Sequence, residues 1–173
     1  YANSGIVVSV SPKDLPNYTP ENPFVCLDFQ KQVEHACWEA AGKTQRVPAQ
    51  RMVDFVEENI SKDFPKTSYQ PGIVSVDLNS VLPKLITKRL QKAFVAFGKK
   101  MKGYYTNQAV LHAPESRTSS PVLIPRSKDT LEHIEIKGLY PCGEGAGYAG
   151  GIISAAIDGI NCIDAIIEKL KIS

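Results

Sequence analysis

The feature that most constrains this fold is a glycine-rich segment that leads directly into the last apolar run of the chain. Five of the nine residues from Gly143 to Gly151 are glycines. Glycine accepts a positive φ and lets a ligand approach the main chain without an intervening Cβ. The first N–H groups of a helix lack intrahelical partners and favour negative charge. The sequence therefore predicts a strand, a glycine loop over residues 143–151 and a helix whose N-terminus faces an anion or another ligand.

The spacing of Gly145, Gly147 and Gly150 matches the GxGxxG pattern of dinucleotide-binding folds. Such a fold also needs a second parallel strand after the helix and an acidic residue about 20 positions further on, whereas only a few residues follow Leu170. We therefore expect a ligand-facing helix N-terminus without the rest of a nucleotide fold. A tight turn whose glycines serve packing alone is the alternative interpretation.

Hydrophobic periodicity predicts an α+β fold with about three main helices. These are expected over residues 24–41, 81–97 and 150–170, with a short helix over 52–56. Strands are expected over residues 6–10, 73–76, 109–112, 121–124, 131–136 and 138–142, in a mixed, largely antiparallel sheet. The last helix is apolar around most of its circumference, which predicts that it packs on most of its sides.

Charge and composition exclude several classes of protein. Twenty Lys and Arg residues against 18 Asp and Glu give a net charge of +2, which argues against a polybasic nucleic-acid binder. The four cysteines and three histidines lack metal-ligand spacing, so no metal site is predicted. No run approaches the roughly 18 to 20 apolar residues of a membrane span. We expect one cytoplasmic domain over residues 1–173, without nucleic-acid or membrane partners.

No catalytic acid or base is assignable from the sequence. Gln50, Arg51 and Tyr148 are candidates for facing a substrate, although a structural role is favoured for each. Cys142 directly precedes the glycine loop, but it has no partner at CxxC spacing, so a disulfide-reductase function is disfavoured.

Segments along the whole chain resemble a bacterial family of FAD-dependent dehydrogenases or oxidoreductases. The similar segments are Tyr1–Val10, Pro48–Arg51, Phe97–Lys100, Glu115–Val122 and Gly143–Gly159. The last of these is similar to the C-terminal flavin motif of that family. The resemblance implies an FAD-binding Rossmann unit upstream of this chain. It agrees with a start at Tyr1, without Met and just before an apolar run, which indicates a piece of a longer protein.

The resemblance also implies a set of flavin-facing residues. Glu144 would reach the ribityl or pyrophosphate region, and the helix N-terminus would meet the pyrimidine edge of the flavin. Residues 117–120 would lie near the flavin or the substrate, with a plain polar turn as the alternative. The implied cofactor-binding residues are Gly143, Glu144, Gly145, Ala146, Gly147, Tyr148, Gly150, Gly151, Arg117, Thr118, Ser119 and Ser120.

The function implied by the resemblance is that of the substrate-side and cap portion of an FAD-dependent oxidoreductase. Its partners would be the upstream FAD-binding domain of the same chain and an unidentified small-molecule substrate. The isolated fragment is expected to lack catalysis and to bind FAD weakly or not at all. Two alternatives stay open: a non-enzymatic interaction or scaffold domain with a glycine-rich packing loop, and a phosphate-binding module acting alone.

Overall fold

The computed structural model describes residues 1–171 and has an α+β architecture. The helices are α1 Val25–Ala40, α2 Met52–Val56, α3 Leu78–Val81, α4 Lys84–Lys100 and α5 Ile152–Lys171. The strands are β1 Val47–Arg51, β2 Ile73–Ser75 and β3 Val110–His112, and a 3₁₀ turn covers Pro12–Asp14. The predicted α+β class, with a mixed sheet and three long helices, is confirmed.

The chain divides into two compact units. The first contains residues 1–11 and 28–116, and with them the whole sheet and most of α1. The second contains residues 12–27 and the chain from Arg117 onward, including α5. A single domain over residues 1–173 stays a prediction, and the two units are described separately below.

The sheet of the first unit has the strand order β2-β1-β3. Central strand β1 runs parallel to β2, with Val47 opposite Ile73, and antiparallel to β3, with Ala49 opposite His112. The sequence did not predict β1, because Pro48 is unfavourable in a central strand and the strand shows no apolar alternation. Its three middle residues are buried, so tertiary packing rather than strand propensity places it there.

The core of the first unit surrounds two phenylalanine rings. Phe55 of α2 and Phe94 of α4 meet edge to face, with their centroids 6.0 Å apart, and at most 2% of either residue is exposed. The buried residues clustered with them are Cys37, Met52, Leu78, Leu82 and Ala113. This cluster joins helices α1 to α4, and Leu111 of β3 packs against it.

The helix predicted to begin at Val81 begins at Lys84 as α4, and the short helix α3 ends at Val81. Asp77 caps α3, since its carboxylate accepts the N–H of Asn79 at 3.0 Å. Leu82 then has extended backbone angles, and Pro83 precedes the first residue of α4. The predicted start at Val81 was wrong because a residue before proline is driven out of the helical conformation.

Four predicted strands are wrong. Residues 6–10, 121–124, 131–136 and 138–142 are irregular, and outside the sheet the described residues contain one isolated bridge, between Arg126 and His133. Leu131 has a φ of 57°, and the His133 Nδ1 accepts the N–H groups of Glu135 and Ile136 at 3.1 and 3.0 Å. The side chain of His133 therefore folds this apolar run into a turn.

Helix α5 of the second unit follows its prediction in extent but not in packing. Within the described part of the chain it is packed along one side, where Cys162 is buried and Asp158 is half-buried. The exposed apolar residues are Ile152, Ile153, Ile157, Ile160, Ile163, Ile167 and Leu170, with exposed fractions between 42% and 89%. The expectation that α5 is packed on most of its sides is therefore wrong for residues 1–171.

Candidate functional site

The glycine loop begins as a tight turn. Gly143 and Gly147 have φ values of 70° and 87°, which side chains other than that of glycine adopt only with strain. The N–H of Gly147 donates to the carbonyl of Glu144 at 2.9 Å, and the N–H of Tyr148 donates to the carbonyl of Gly143 at 3.0 Å. Two of the five glycines are therefore explained by the conformation of the turn itself.

Gly147 also lies against a neighbouring stretch of backbone. A Cβ at this position would come within 2.7 Å of the carbonyl oxygen of Val122 and 3.1 Å of the Cα of Leu123. Next to this contact, the N–H of Ile124 donates to the carbonyl of Ala146 at 3.1 Å. The packing interpretation of the glycines is thus correct for Gly147, because any side chain there would push the loop away from residues 122–124.

Gly145, Gly150 and Gly151 are different. All three are exposed, and none has a φ in the left-handed region. A Cβ at Gly145 would meet nothing within 4 Å, and at Gly150 and Gly151 the nearest atoms would be 3.9 and 3.7 Å away. The described residues therefore give no steric or conformational reason for glycine at these positions, and the main chain there is uncovered.

Thr118 and Ser120, two of the residues that the resemblance implies near the flavin or the substrate, lie beside the loop. The Ser120 hydroxyl donates to the carbonyl of Gly145 at 3.2 Å and to that of Val122 at 2.8 Å. The carbonyl oxygen of Thr118 is the neighbour nearest to the open space at Gly150. Arg117, Thr118, Ser119 and Glu144 are exposed. The structure thus brings the two groups of predicted residues together within the second unit.

An ion pair that sequence reasoning missed holds the loop to α5. The Arg126 Nη2 lies 2.6 Å from the Asp158 Oδ1, and the two side chains are 9% and 14% exposed. The N–H of Gly143 donates to the Asp158 Oδ2 at 2.8 Å, and the Arg126 Nη1 donates to the carbonyl of Pro141 at 2.7 Å. The pair therefore fixes the chain on both sides of Cys142.

Electrostatics in this cluster follow from its geometry. The hydrogen bond from Arg126 lowers the pKa of Asp158, and the same bond raises the pKa of Arg126. The Arg126 guanidinium also stacks 3.6 Å above the ring of Tyr148, whose hydroxyl donates to the carbonyl of Ile124 at 2.9 Å. These contacts agree with the structural role favoured for Tyr148, and its predicted contact with the cofactor stays a prediction. The signal for this cluster was a carboxylate, Asp158, among the apolar residues of the first half of α5.

Gln50 and Arg51, the other substrate-facing candidates, have structural contacts in the first unit. Gln50 is fully buried, its Oε1 accepts the N–H of Leu78 at 2.9 Å, and its Nε2 donates to the carbonyl of Asn59 at 2.6 Å. The Arg51 Nη2 lies 2.6 Å from the Asp63 Oδ1. These bonds tie loops to the sheet and agree with the structural role favoured for both residues.

Cys142 is exposed, whereas Cys162 is buried. Burial raises the pKa of the Cys162 thiol, which disfavours a nucleophilic role for it at neutral pH. Across residues 1–171, no three His, Cys, Asp or Glu side chains are placed to hold a metal ion. No helix in this described range has the length and apolar character needed to cross a membrane.

Comparison with known proteins identifies the family. Residues 1–118 match the family described as "FAD-dependent protein, C-terminal domain-like". The chain belongs to this family. A relative from Clostridium beijerinckii, titled "Uncharacterized protein", is 39% identical over 173 residues, which cover 99% of this chain and 32% of the relative. The chain thus spans about a third of the length of that relative, and the predicted membership of an FAD-dependent family is confirmed.

Proposed function

We propose that this domain is the substrate-side and cap portion of an FAD-dependent oxidoreductase of the dehydrogenase type, and that it completes the flavin site of the full-length protein. Family membership supports FAD as the cofactor. The observation that carries the proposal is the uncovered main chain at Gly145, Gly150 and Gly151, where the described residues supply no other reason for glycine. Close approach of a bound group to the backbone would explain glycine at these positions.

The residues of this segment fit a flavin in their chemistry. The main-chain N–H groups of the loop and of the first turn of α5 supply donors, and the 20 residues of α5 supply the positive end of a helix dipole. Both stabilise negative charge of the kind that a reduced flavin carries at its pyrimidine edge. FAD itself supplies the hydride transfer when bound, and this chain orients it and sets its electrostatics.

The side chains around the loop then have distinct roles. Arg126 and Asp158 act as positioning residues, since they fix the loop to α5 without facing its open side. Arg117, Thr118 and Ser119 are exposed beside the loop and are proposed to line the flavin or substrate site, and the exposed Glu144 is proposed to contact the ribityl or pyrophosphate region.

The remaining parts of the proposal concern the rest of the protein. The partners are the FAD-binding part of the same polypeptide and a small-molecule substrate, in the cytoplasm, and residues 1–173 serve together as one domain. The isolated chain is proposed to lack catalysis. If the isolated chain, shown by circular dichroism to be folded, is purified with stoichiometric flavin, flavin binding does not depend on the rest of the protein. That result would contradict this part of the proposal.

The test compares glycines that the fold needs with glycines that it does not. In the full-length protein, Gly145→Val should raise the FAD dissociation constant about tenfold or more, which corresponds to about 1.4 kcal/mol, while the unfolding midpoint of the flavin-free protein stays unchanged. Gly147→Val should lower that midpoint because its side chain would clash with residues 122–123. Flavin affinity is measured by titration of each flavin-free variant.

Gly159→Ala is the matched control. Gly159 lies in α5, a Cβ there would meet nothing within 4 Å, and no flavin contact is proposed for it. Unchanged FAD affinity in both Gly145→Val and Gly150→Val would contradict the proposal and favour a scaffold domain. Reduced affinity in the two variants together with normal affinity in the control would support a flavin-facing loop.

A further inference from the structure

Helix α5 has two faces of opposite character. At 100° per residue, its seven exposed isoleucine and leucine side chains fall within an arc of about 140°. Asp158 and Cys162 lie on the opposite side, where the helix packs within its own unit through Arg126. The apolar stripe is therefore additional to the packed side and is not needed to attach α5 to the rest of the second unit.

The stripe is too long to be an incidental surface. It extends from Ile152, 89% exposed at the first turn, to Leu170, 69% exposed at the last. Asp164, and Lys171 at the end of the helix, fall within the same arc. Single exposed apolar residues are common in soluble proteins, but seven along one side of a 20-residue helix indicate a surface that is covered by a partner. The exposed apolar side chains of α5 are removed from water only when this second face is also packed.

The charges on α5 disfavour a lipid surface as the partner. Membrane-binding helices carry many lysines and arginines on their polar face. The basic residues of α5 are Lys169 and Lys171, both in its last turn, and Lys169 is paired with Glu132 at 2.6 Å. The remaining charged side chains are acidic: Asp158, Asp164 and Glu168. A partner with an apolar protein surface fits this stripe better than an anionic membrane does.

Two observations indicate which protein surface covers the stripe. The Clostridium beijerinckii relative is about three times as long as the region it shares with this chain, so the same polypeptide there contains a large further part. The stripe also begins at Ile152 and Ile153, which directly follow the uncovered glycines Gly150 and Gly151. One partner is therefore placed to cover the bare loop and the apolar helix together.

We propose that the isoleucine stripe of α5 is the docking surface for the FAD-binding part of the same polypeptide. The inference rests on the proposed function in taking that part of the chain as the partner. It adds that α5 attaches the C-terminal domain through apolar packing, independently of any contact that the loop makes to flavin. The loop then approaches the cofactor because α5 is held against the part that binds it.

The test measures burial of the stripe in the full-length protein. Ile160→Cys places a thiol in the middle of the stripe, and Asn161→Cys places the matched control on the neighbouring exposed polar edge. The rate of alkylation of each thiol is read by mass spectrometry at residue resolution, so native cysteines do not interfere. The thiol introduced at position 160 should react about tenfold or more slowly than the thiol introduced at position 161, because its exposure requires undocking.

The possible outcomes distinguish the FAD-binding part of the same polypeptide from other partners of the stripe. Protection of position 160 that persists on dilution of a monomeric protein supports docking within one polypeptide. Protection that disappears on dilution through a dimer–monomer transition identifies a second copy of the chain and overturns the proposal. Equal reaction rates at positions 160 and 161 overturn it as well.

The same samples separate this inference from the proposed function. Flavin content is measured by absorbance alongside alkylation. Bound flavin with a reactive position 160 contradicts the docking surface alone. A protected position 160 in a protein whose FAD affinity is unchanged by Gly145→Val contradicts the flavin-facing loop alone.

Discussion

The two units of this chain place their apolar residues in opposite ways. The first unit contains the three-stranded sheet and buries Phe55, Phe94 and their neighbours, so these apolar side chains pack within the unit itself. The second unit orders its loops through the Arg126–Asp158 pair and exposes the isoleucines of α5. The difference shows that apolar side chains pack internally in the first unit, whereas a stripe of them stays exposed on α5 of the second.

The comparison with known proteins follows the same division. The family match covers residues 1–118 and therefore includes the core of the first unit, whereas the glycine loop and α5 lie beyond it. The first unit thus establishes what family the chain belongs to. The second unit carries the residues from which its function is proposed.

The largest expected effect lies in the core of the first unit. Phe55→Ala should reduce the free energy of unfolding by about 3–5 kcal/mol, because it removes a fully buried ring that packs on Phe94. Val95→Ala, at a 38% exposed position of α4 next to Phe94, is the control and should cost less than about 1 kcal/mol. Denaturant titration of the full-length protein measures both. Equal losses in the two variants would refute an internally packed first unit.

A smaller effect is expected in the second unit from its ion pair. Asp158→Asn should reduce the free energy of unfolding by about 2 kcal/mol, between the values typical of exposed and of fully buried pairs. It leaves the guanidinium of Arg126 without a carboxylate and weakens the bond to the N–H of Gly143. Lys128→Gln, at an exposed position of the same unit, should leave the free energy of unfolding unchanged. Denaturant titration of the full-length protein measures both variants. If Asp158→Asn has no effect, the polar cluster does not order the loop.

The contribution of Asp158 should also depend on pH. Its pKa is lowered in the folded protein by the hydrogen bond from Arg126, so its stabilisation is complete above the ordinary aspartate pKa and is lost as the pH falls through the lower folded value. The difference in unfolding free energy between wild type and Asp158→Asn should therefore be constant from about pH 5 to 7 and should shrink below about pH 4. A difference that grows on acidification would contradict the ion pair.

The smallest effect, and a stabilising one, is expected from Gly159→Ala. Glycine within a helix costs about 0.5–1 kcal/mol relative to alanine, and the space around Gly159 is open in the described chain. Thermal unfolding should therefore show a higher midpoint in the full-length protein. A lower midpoint would mean that the docked partner approaches α5 at Gly159 as well as along the isoleucine stripe.

Local signals in the sequence predicted some elements and missed others for identifiable reasons. The long helices followed from apolar periodicity, and the glycine loop from its composition. Strand β1 was missed because burial of Pro48, Ala49 and Gln50 overrides their low strand propensity. Residues 131–136 were assigned to a strand because the capture of backbone N–H groups by His133 leaves no periodic signal.

The candidate site was predictable to the same extent. The resemblance implied one site formed by the loop and residues 117–120, and Thr118 and Ser120 do lie beside the loop. The Arg126–Asp158 pair was not predicted, because its partners are separated by 32 positions and no local pattern links the two residues. The fold needs some of these glycines and not others. Local sequence could not show which, because the difference depends on the atoms that lie beside Gly145 and Gly147 in the folded chain.

The most direct test of the proposed flavin site is a crystal structure of the full-length protein with FAD bound. We expect main-chain atoms of residues 145–151 within hydrogen-bond or van der Waals distance of the flavin, and the side chains of Ile157 and Ile160 buried against the FAD-binding part. A flavin remote from this loop, together with a solvent-exposed α5 stripe, would contradict the account.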